Sequence, residues 1–232
     1  MLRLTLFLIF CLSLFADESI LFVSLGSDCH NGLALNEFGL RKIAFPFDWL
    51  VTGNNQGLIR LLDNDFAFFL DERFLTTPEN AKNSPNNLTN TLYDIEFTHD
   101  GKWFGEADFA KHLEMIKPKY ERRINRFRQI RHHQGKVIFI RNFYPNSNDN
   151  PEFHRDMVLG LRNALRRFFP FLDFTLVIAT WTEIQTASIH DIDGIVEFKM
   201  DYSIWQNEYN EMFKTMIDLF TDPSLQFQTN QG

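Results

Sequence analysis

Two stretches, "KVIFIRN" from Lys136 and "FTLVIAT" from Phe174, constrain the fold more than any other feature of the chain. Each is a continuous apolar run rich in Val, Ile and Phe, and each is too short for an ordinary helix. Runs of this kind form strands buried on both faces, which belong to parallel sheets covered by helices. Three further runs, "ILFVSLG" from Ile20, "LYDIEFTH" from Leu92 and "GIVEFKM" from Gly194, also alternate with helical patterns. The expectation is an α/β fold: a single three-layer domain with a mainly parallel sheet of about five strands flanked by helices. Because "LYDIEFTH" alternates polar and apolar residues, it is expected at an edge of that sheet.

The intervening segments carry helical periodicity. From Phe109 to Arg131, apolar Leu113, Ile116, Tyr120, Ile124, Phe127 and Ile130 recur every three or four residues, a stripe that one helix face buries. "NQGLIRLLDNDFAFFL" reads as a helix that becomes buried towards its end. "PEFHRDMVLGLRNALRRFF" has Pro151 at a helix start and Pro170 past its end, and "NEYNEMFKTMIDLF" reads as a last helix. At 232 residues the chain fits one domain, and its 26 Phe imply a thick aromatic core. The expected organisation is a signal peptide over 1–16, a single α/β domain over 17–222 and a C-terminal tail over 223–232.

The leader "MLRLTLFLIFCLSLFA" places one Arg before an apolar stretch that is short for a transmembrane helix, and ends on a small Ala16. Cleavage there implies export to a periplasmic or extracellular space; without cleavage, residues 4–15 would anchor the chain. No second apolar run of spanning length follows. A formal charge of −7 gives no general attraction to nucleic acid, so none is expected as a partner. Cleavage would remove Cys11 and leave Cys29 alone, which excludes an internal disulfide framework.

Open parallel sheets gather binding groups beyond the carboxyl ends of their strands. On that rule the first strand delivers Ser27, Asp28 and Cys29, and the second His99 and Asp100. The third delivers Arg141 and Asn142, the fourth Thr180 and Glu183, and the fifth Asp201. Cys29 falls between a strand and a helix, where unsatisfied N–H groups favour a thiolate, although Asp28 opposes this unless it points away or caps the helix. The bland alternative is an inert cysteine filling a strand–helix corner. His99 could take the thiol proton, with Asp100 or Asn142 fixing its tautomer. His30 is a poorer base, since adjacent helical side chains diverge. Ser27, Asp28, Arg141 and Glu183 are left as substrate-binding candidates.

The basic stretch "KPKYERRINRFRQIRHHQGK" is expected to be a solvated helix face, and only secondarily a phosphate, carboxylate or lipid surface. No HExxH, CxxC or Gly-rich phosphate loop occurs, so no metal and no cofactor is expected.

The block "SLGSDCHNGLALNEFGLRKIAFPFDWLVT", from Ser24 to Thr52, resembles the opening of a family described as "putative papain-like cysteine peptidases". Those proteins begin with a strand, S-L-G-x-x-C, a helix ending in G-L-R, and then P-F-D-W. The matching residues are Ser24, Leu25, Gly26, Cys29, Gly39, Leu40, Arg41, Pro46, Phe47, Asp48 and Trp49. "FTHD" at Phe97, "ERRINRF" at Glu121 and "VIFIRN" at Val137 resemble the family's middle section. The resemblance covers roughly residues 20 to 200. It implies a cysteine hydrolase with Cys29 as nucleophile, His99 as base, and Asp48, Asp100 or Asn142 in the third role. The substrate would be a peptide, amide or ester. Two rivals stand beside it: a serine esterase similar to GDSL-type hydrolases using Ser27, and a non-catalytic module binding an anionic ligand through Arg141 and the basic helix.

Overall fold

The computed structural model describes residues 20–76, 88–100, 109–144, 151–182, 188–192, 194–201 and 205–222. The leader at 1–16 and the tail at 223–232 lie outside these residues, as does Glu183.

The main sheet contains β1 (Leu21–Ser24), β6 (Val137–Phe143), β7 (Phe174–Thr182), β9 (Val196–Asp201) and β8 (Ser188–Asp191), side by side in that order. The first four are parallel, and β8 runs antiparallel along the β9 edge. Four of the five apolar runs therefore lie in one mainly parallel sheet, as expected. The fifth strand is β8, whose residues "SIHD" carry no apolar run to announce it.

"LYDIEFTH" does not join that sheet. It supplies β5 (Ile95–Phe97), which pairs antiparallel with β2 (Val51–Thr52) and β4 (Leu88–Asn90), while β4 pairs with β3 (Leu75–Thr76). The alternation of Ile95 and Phe97 with half-exposed Glu96 suits a small sheet covered on one face only.

Alternation along the central strands divides the core in two. Phe139 and Ile178 face one side, with α2 (Asn55–Asp63), α3 (Phe109–Gln129), α4 (Pro151–Phe168) and the small sheet. Ile138, Ile140, Val177 and Ala179 face the other, with α1 (His30–Glu37) and α5 (Trp205–Thr221). The α3 stripe is buried at Leu113, Ile116, Tyr120, Ile124 and Phe127. Phe127 is an aromatic centre, its ring 5.2–6.4 Å from those of Phe45, Phe47, Phe66, Phe139, Phe168 and Phe169.

The helix expected through "NQGLIRLLDNDFAFFL" stops early, at Asp63. Asp65, Phe66 and Phe68 adopt left-handed backbone (φ 47°, 62° and 61°), and Phe66 and Phe69 fold back into the core. Burying those rings outweighs continuing the helix, and Asn64–Asp65 is a dipeptide that leaves helical geometry readily.

Candidate functional site

The chain leaves β1 through a sharp bend. Gly26 and Ser27 both have positive φ, 77° and 84°. For serine that conformation costs about 1–3 kcal/mol. It is held by Thr52 of β2: the Ser27 N–H donates to Thr52 Oγ1 (3.0 Å), and the Ser27 carbonyl accepts from the Thr52 N–H (3.1 Å). The small sheet thus fixes the loop that carries the cysteine.

Cys29 is the residue that precedes the first helical position of α1, and its carbonyl accepts the N–H of Leu33 at 3.0 Å. Its side chain is partly exposed and makes no capping bond. On the far side, Gly32 lets α1 press against the Pro46–Trp49 turn: a Cβ there would stand 2.5 Å from the Asp48 carbonyl oxygen.

Asp28 is the hub of the site. Its Oδ1 accepts from the His30 backbone N–H (2.9 Å) and from Asn142 Nδ2 (3.1 Å), and lies 3.0 Å from His30 Nδ1. Its Oδ2 accepts from the Tyr144 hydroxyl at 2.5 Å. Burial pushes this carboxyl up, but the bonds from His30 and Tyr144 outweigh that and hold it below its usual 3.8. In return, the Asp28 bond raises the His30 imidazole above 6.5. Beneath the cluster, Tyr209 donates to Asn31 Oδ1 at 2.6 Å and accepts from Asn142 Nδ2 at 3.5 Å.

The start of a helix ought to favour a thiolate, yet here it does not prevail. Burial, then the Asp28 charge, push the Cys29 thiol above 9.0. Asp28 caps the helix, as the sequence allowed, but its charge stays beside the sulfur. At neutral pH Cys29 is a thiol, so any chemistry must remove its proton during the attack.

Asp48 is buried and spent on structure, accepting from Arg41 Nε (2.9 Å) and the Phe45 N–H (3.0 Å). Burial dominates that pairing and raises its carboxyl. His99 follows β5 in the small sheet, exposed, with its ring 5.2 Å edge-on to Trp49, itself under the Arg41 guanidinium. Among the described residues no hydrogen bond joins His99 to Cys29 or to Asp100. Asp100 turns instead to α3, accepting from Tyr120 (2.6 Å) and pairing with Lys119. Asn142 does reach the site, through Asp28. Arg141 is buried, donating to Asn55 Oδ1 (2.6 Å), the Leu25 carbonyl (3.0 Å), and Thr52 Oγ1 (2.5 Å) and carbonyl (3.2 Å). It clips the Cys29 loop, β2 and α2 to the main sheet, and burial lowers its guanidinium to about 10. The basic stretch of α3 is likewise engaged, with Arg128 on Asp65 (2.9 Å) and Arg126 on the Ala44 carbonyl.

Thr180 belongs to a second cluster that sequence reasoning missed. Its hydroxyl donates to buried Glu197 Oε1 (2.6 Å), which also lies 2.7 Å from His154 Nε2. The His154 ring lies 4.5 Å from that of Phe143, but its partner Glu197 is 43 residues away, beyond any spacing pattern. Tyr144 and Tyr209 were missed for the same reason. Among the described residues, no group of three or more His, Cys, Asp and Glu is placed to hold a metal ion, and no helix is long and apolar enough to cross a membrane.

A family model described as "putative papain-like cysteine peptidase" matches residues 20–183. An uncharacterised protein, R408, of Acanthamoeba polyphaga mimivirus is 28% identical over 141 residues, a match covering 54% of this chain and 63% of that relative. No solved structure matches.

Proposed function

Given that the chain belongs to the family described as "putative papain-like cysteine peptidase", we propose that it is a cysteine hydrolase in which Cys29 attacks the carbonyl carbon of an amide or ester. The observation that carries this reading is a half-exposed thiol at the carboxyl edge of a parallel sheet, fixed in a strained loop and set against a polar cluster. Strain held in place at one loop is a mark of sites where position matters.

As the thiol is neutral, a base must take its proton as the S–C bond forms. His30 is committed to Asp28 and lies edge-on to Tyr209. His99 makes no hydrogen bond among the described residues, so its ring nitrogens remain for proton transfer. The transferred proton passes from imidazolium to the leaving amine or alcohol. Water, deprotonated by the same imidazole, then cleaves the thioester and regenerates the thiol. The His30 N–H is already bound by Asp28, so the oxyanion would rest on the other N–H groups of the first turn of α1.

The test is hydrolysis of a fluorogenic peptide and ester panel by the native chain and by Cys29→Ser, His99→Asn and His30→Asn. Loss of at least about a hundredfold in the first two, with His30→Asn retaining most activity, is the expected pattern. Unchanged turnover in Cys29→Ser would overturn the proposal, and loss in His30→Asn alone would move the base to His30.

A further inference from the structure

The main sheet ends in an open edge. β8 pairs with β9 alone, and among the described residues no hydrogen bond reaches its outer side. Sheets commonly blunt such edges with Lys, Pro, a bulge or an inward charge, because unpaired N–H and C=O groups accept another strand. β8 is short, but it carries no Lys or Pro and runs in unbroken register with β9. Its Asp191 carboxylate is engaged at the turn, accepting the Gly194 N–H at 3.0 Å. Ile189 instead stands 49% exposed. It lies opposite Phe198, on the α5 face of the sheet, where it borders a cleft of about 440 Å³ also lined by Phe198, Met200 and Met212.

We propose that a second copy of this chain covers the edge, with the two β8 strands pairing antiparallel about a two-fold axis. An axis perpendicular to the sheet keeps its faces, so only two registers match three of the four residues of β8. Setting His190 against itself would press Ile189 onto the Asp191 carboxylate. Setting Ile189 against itself opposes no charges, and places Ser188 against His190, two groups that already lie 2.9 Å apart within one strand. Lys199 and Glu211, of opposite sign, line the same cleft, so the copies meet no field of a single sign. Facing Cβ atoms in such a pair are about 4.5–5.5 Å apart, which puts each Ile189 at the open side of the other's cleft. One residue thus serves as both halves of the contact, which a second copy supplies and an unrelated peptide would have to imitate. Cys29 follows β1 at the opposite edge of the sheet, so both thiols stay clear of the interface. The proposal is independent of the hydrolase reading.

Sedimentation equilibrium of the full chain over a wide concentration range tests it. The native chain should show a reversible monomer–dimer equilibrium, and Ile189→Lys, which opposes two ammonium groups, should raise the dissociation constant about tenfold or more. A native chain that stays monomeric throughout overturns the proposal. So does association that persists unchanged in Ile189→Lys, as the apolar leader alone would give. Oxidative cross-linking reads the register without relying on that variant. With Cys11→Ser and Cys29→Ser in the background, Ile189→Cys should form a covalent dimer and His190→Cys should not. Equal cross-linking at the two positions, or at His190→Cys alone, overturns the pairing.

Discussion

Gly32 and the backbone of Asp48 touch so closely that the helix carrying Cys29 has no room for a methyl group between them. A Cβ at position 32 would meet a carbonyl oxygen, which cannot rotate away as a side chain can. Gly32→Ala should therefore destabilise the fold by about 1–3 kcal/mol, although alanine favours helices. Urea unfolding measures this, and a more stable Gly32→Ala protein would show that the contact has slack.

The Asp28 charge raises the Cys29 thiol, so its removal should act in the opposite direction. Asp28→Asn keeps an oxygen that can cap the His30 N–H but takes away the negative charge. Iodoacetamide labelling of the native chain should rise only in the alkaline range, above pH 9.0, and the Asp28→Asn profile should shift to lower pH. Burial is the larger cause and remains, so the shift is partial. Coincident profiles would remove Asp28 from the account.

Arg141 makes four hydrogen bonds to neutral acceptors, one on Leu25 just past β1 and three on Asn55 and Thr52. Arg141→Met would take its donors from these buried oxygens, of which Thr52 Oγ1 keeps the Ser27 N–H. The expected loss is about 3 kcal/mol or more, with Arg141→Lys intermediate because one ammonium cannot reach all four. Thermal unfolding reads the difference. If phosphate raised the native melting temperature and Arg141→Lys abolished that rise, Arg141 would be a ligand group after all.

Glu197 gives an acid-dependent signature. Burial raises its carboxyl, but bonds from His154 and Thr180 outweigh burial and hold it below 4.5. A carboxyl depressed in the native state adds stability above its unfolded value, and that stability is lost as pH falls through the native one. Unfolding free energy should therefore drop between pH 5 and acid in the native chain and more shallowly in Glu197→Gln. Parallel slopes would contradict the pairing.

The ring centre of the core sets a fourth scale. Phe127→Ala should cost about 3–5 kcal/mol, whereas Phe171, 98% exposed, should tolerate serine within about 0.5 kcal/mol. Urea midpoints of the two variants test the contrast directly.

The main sheet could be read from the sequence because its central strands are apolar on both faces, and nothing but a covered strand needs that. The small sheet could not be read: β2 and β3 are two residues each, below any period a pattern can reveal. β5 did show its alternation, which signalled a one-sided sheet rather than an edge of the main one. At the site, the neighbourhood of Ser27, Asp28 and Cys29 followed from the strand–helix junction. The left-handed Ser27 did not, because Thr52 imposes it from a distance. Asp48 looked like a candidate orienting group until Arg41, seven residues earlier, claimed it. The Asp28 cluster needed Asn142 and Tyr144, more than a hundred residues further on, and no spacing rule reaches that far.

The paired bonds between Ser27 and Thr52 make the sulfur's foothold depend on a strand from a different layer. Alterations along β2 or its partners would be felt at the thiol before they were felt in the rest of the molecule. The small sheet and the cysteine are in this sense one heritable part, and a descendant that discarded the first would have to reinvent the second.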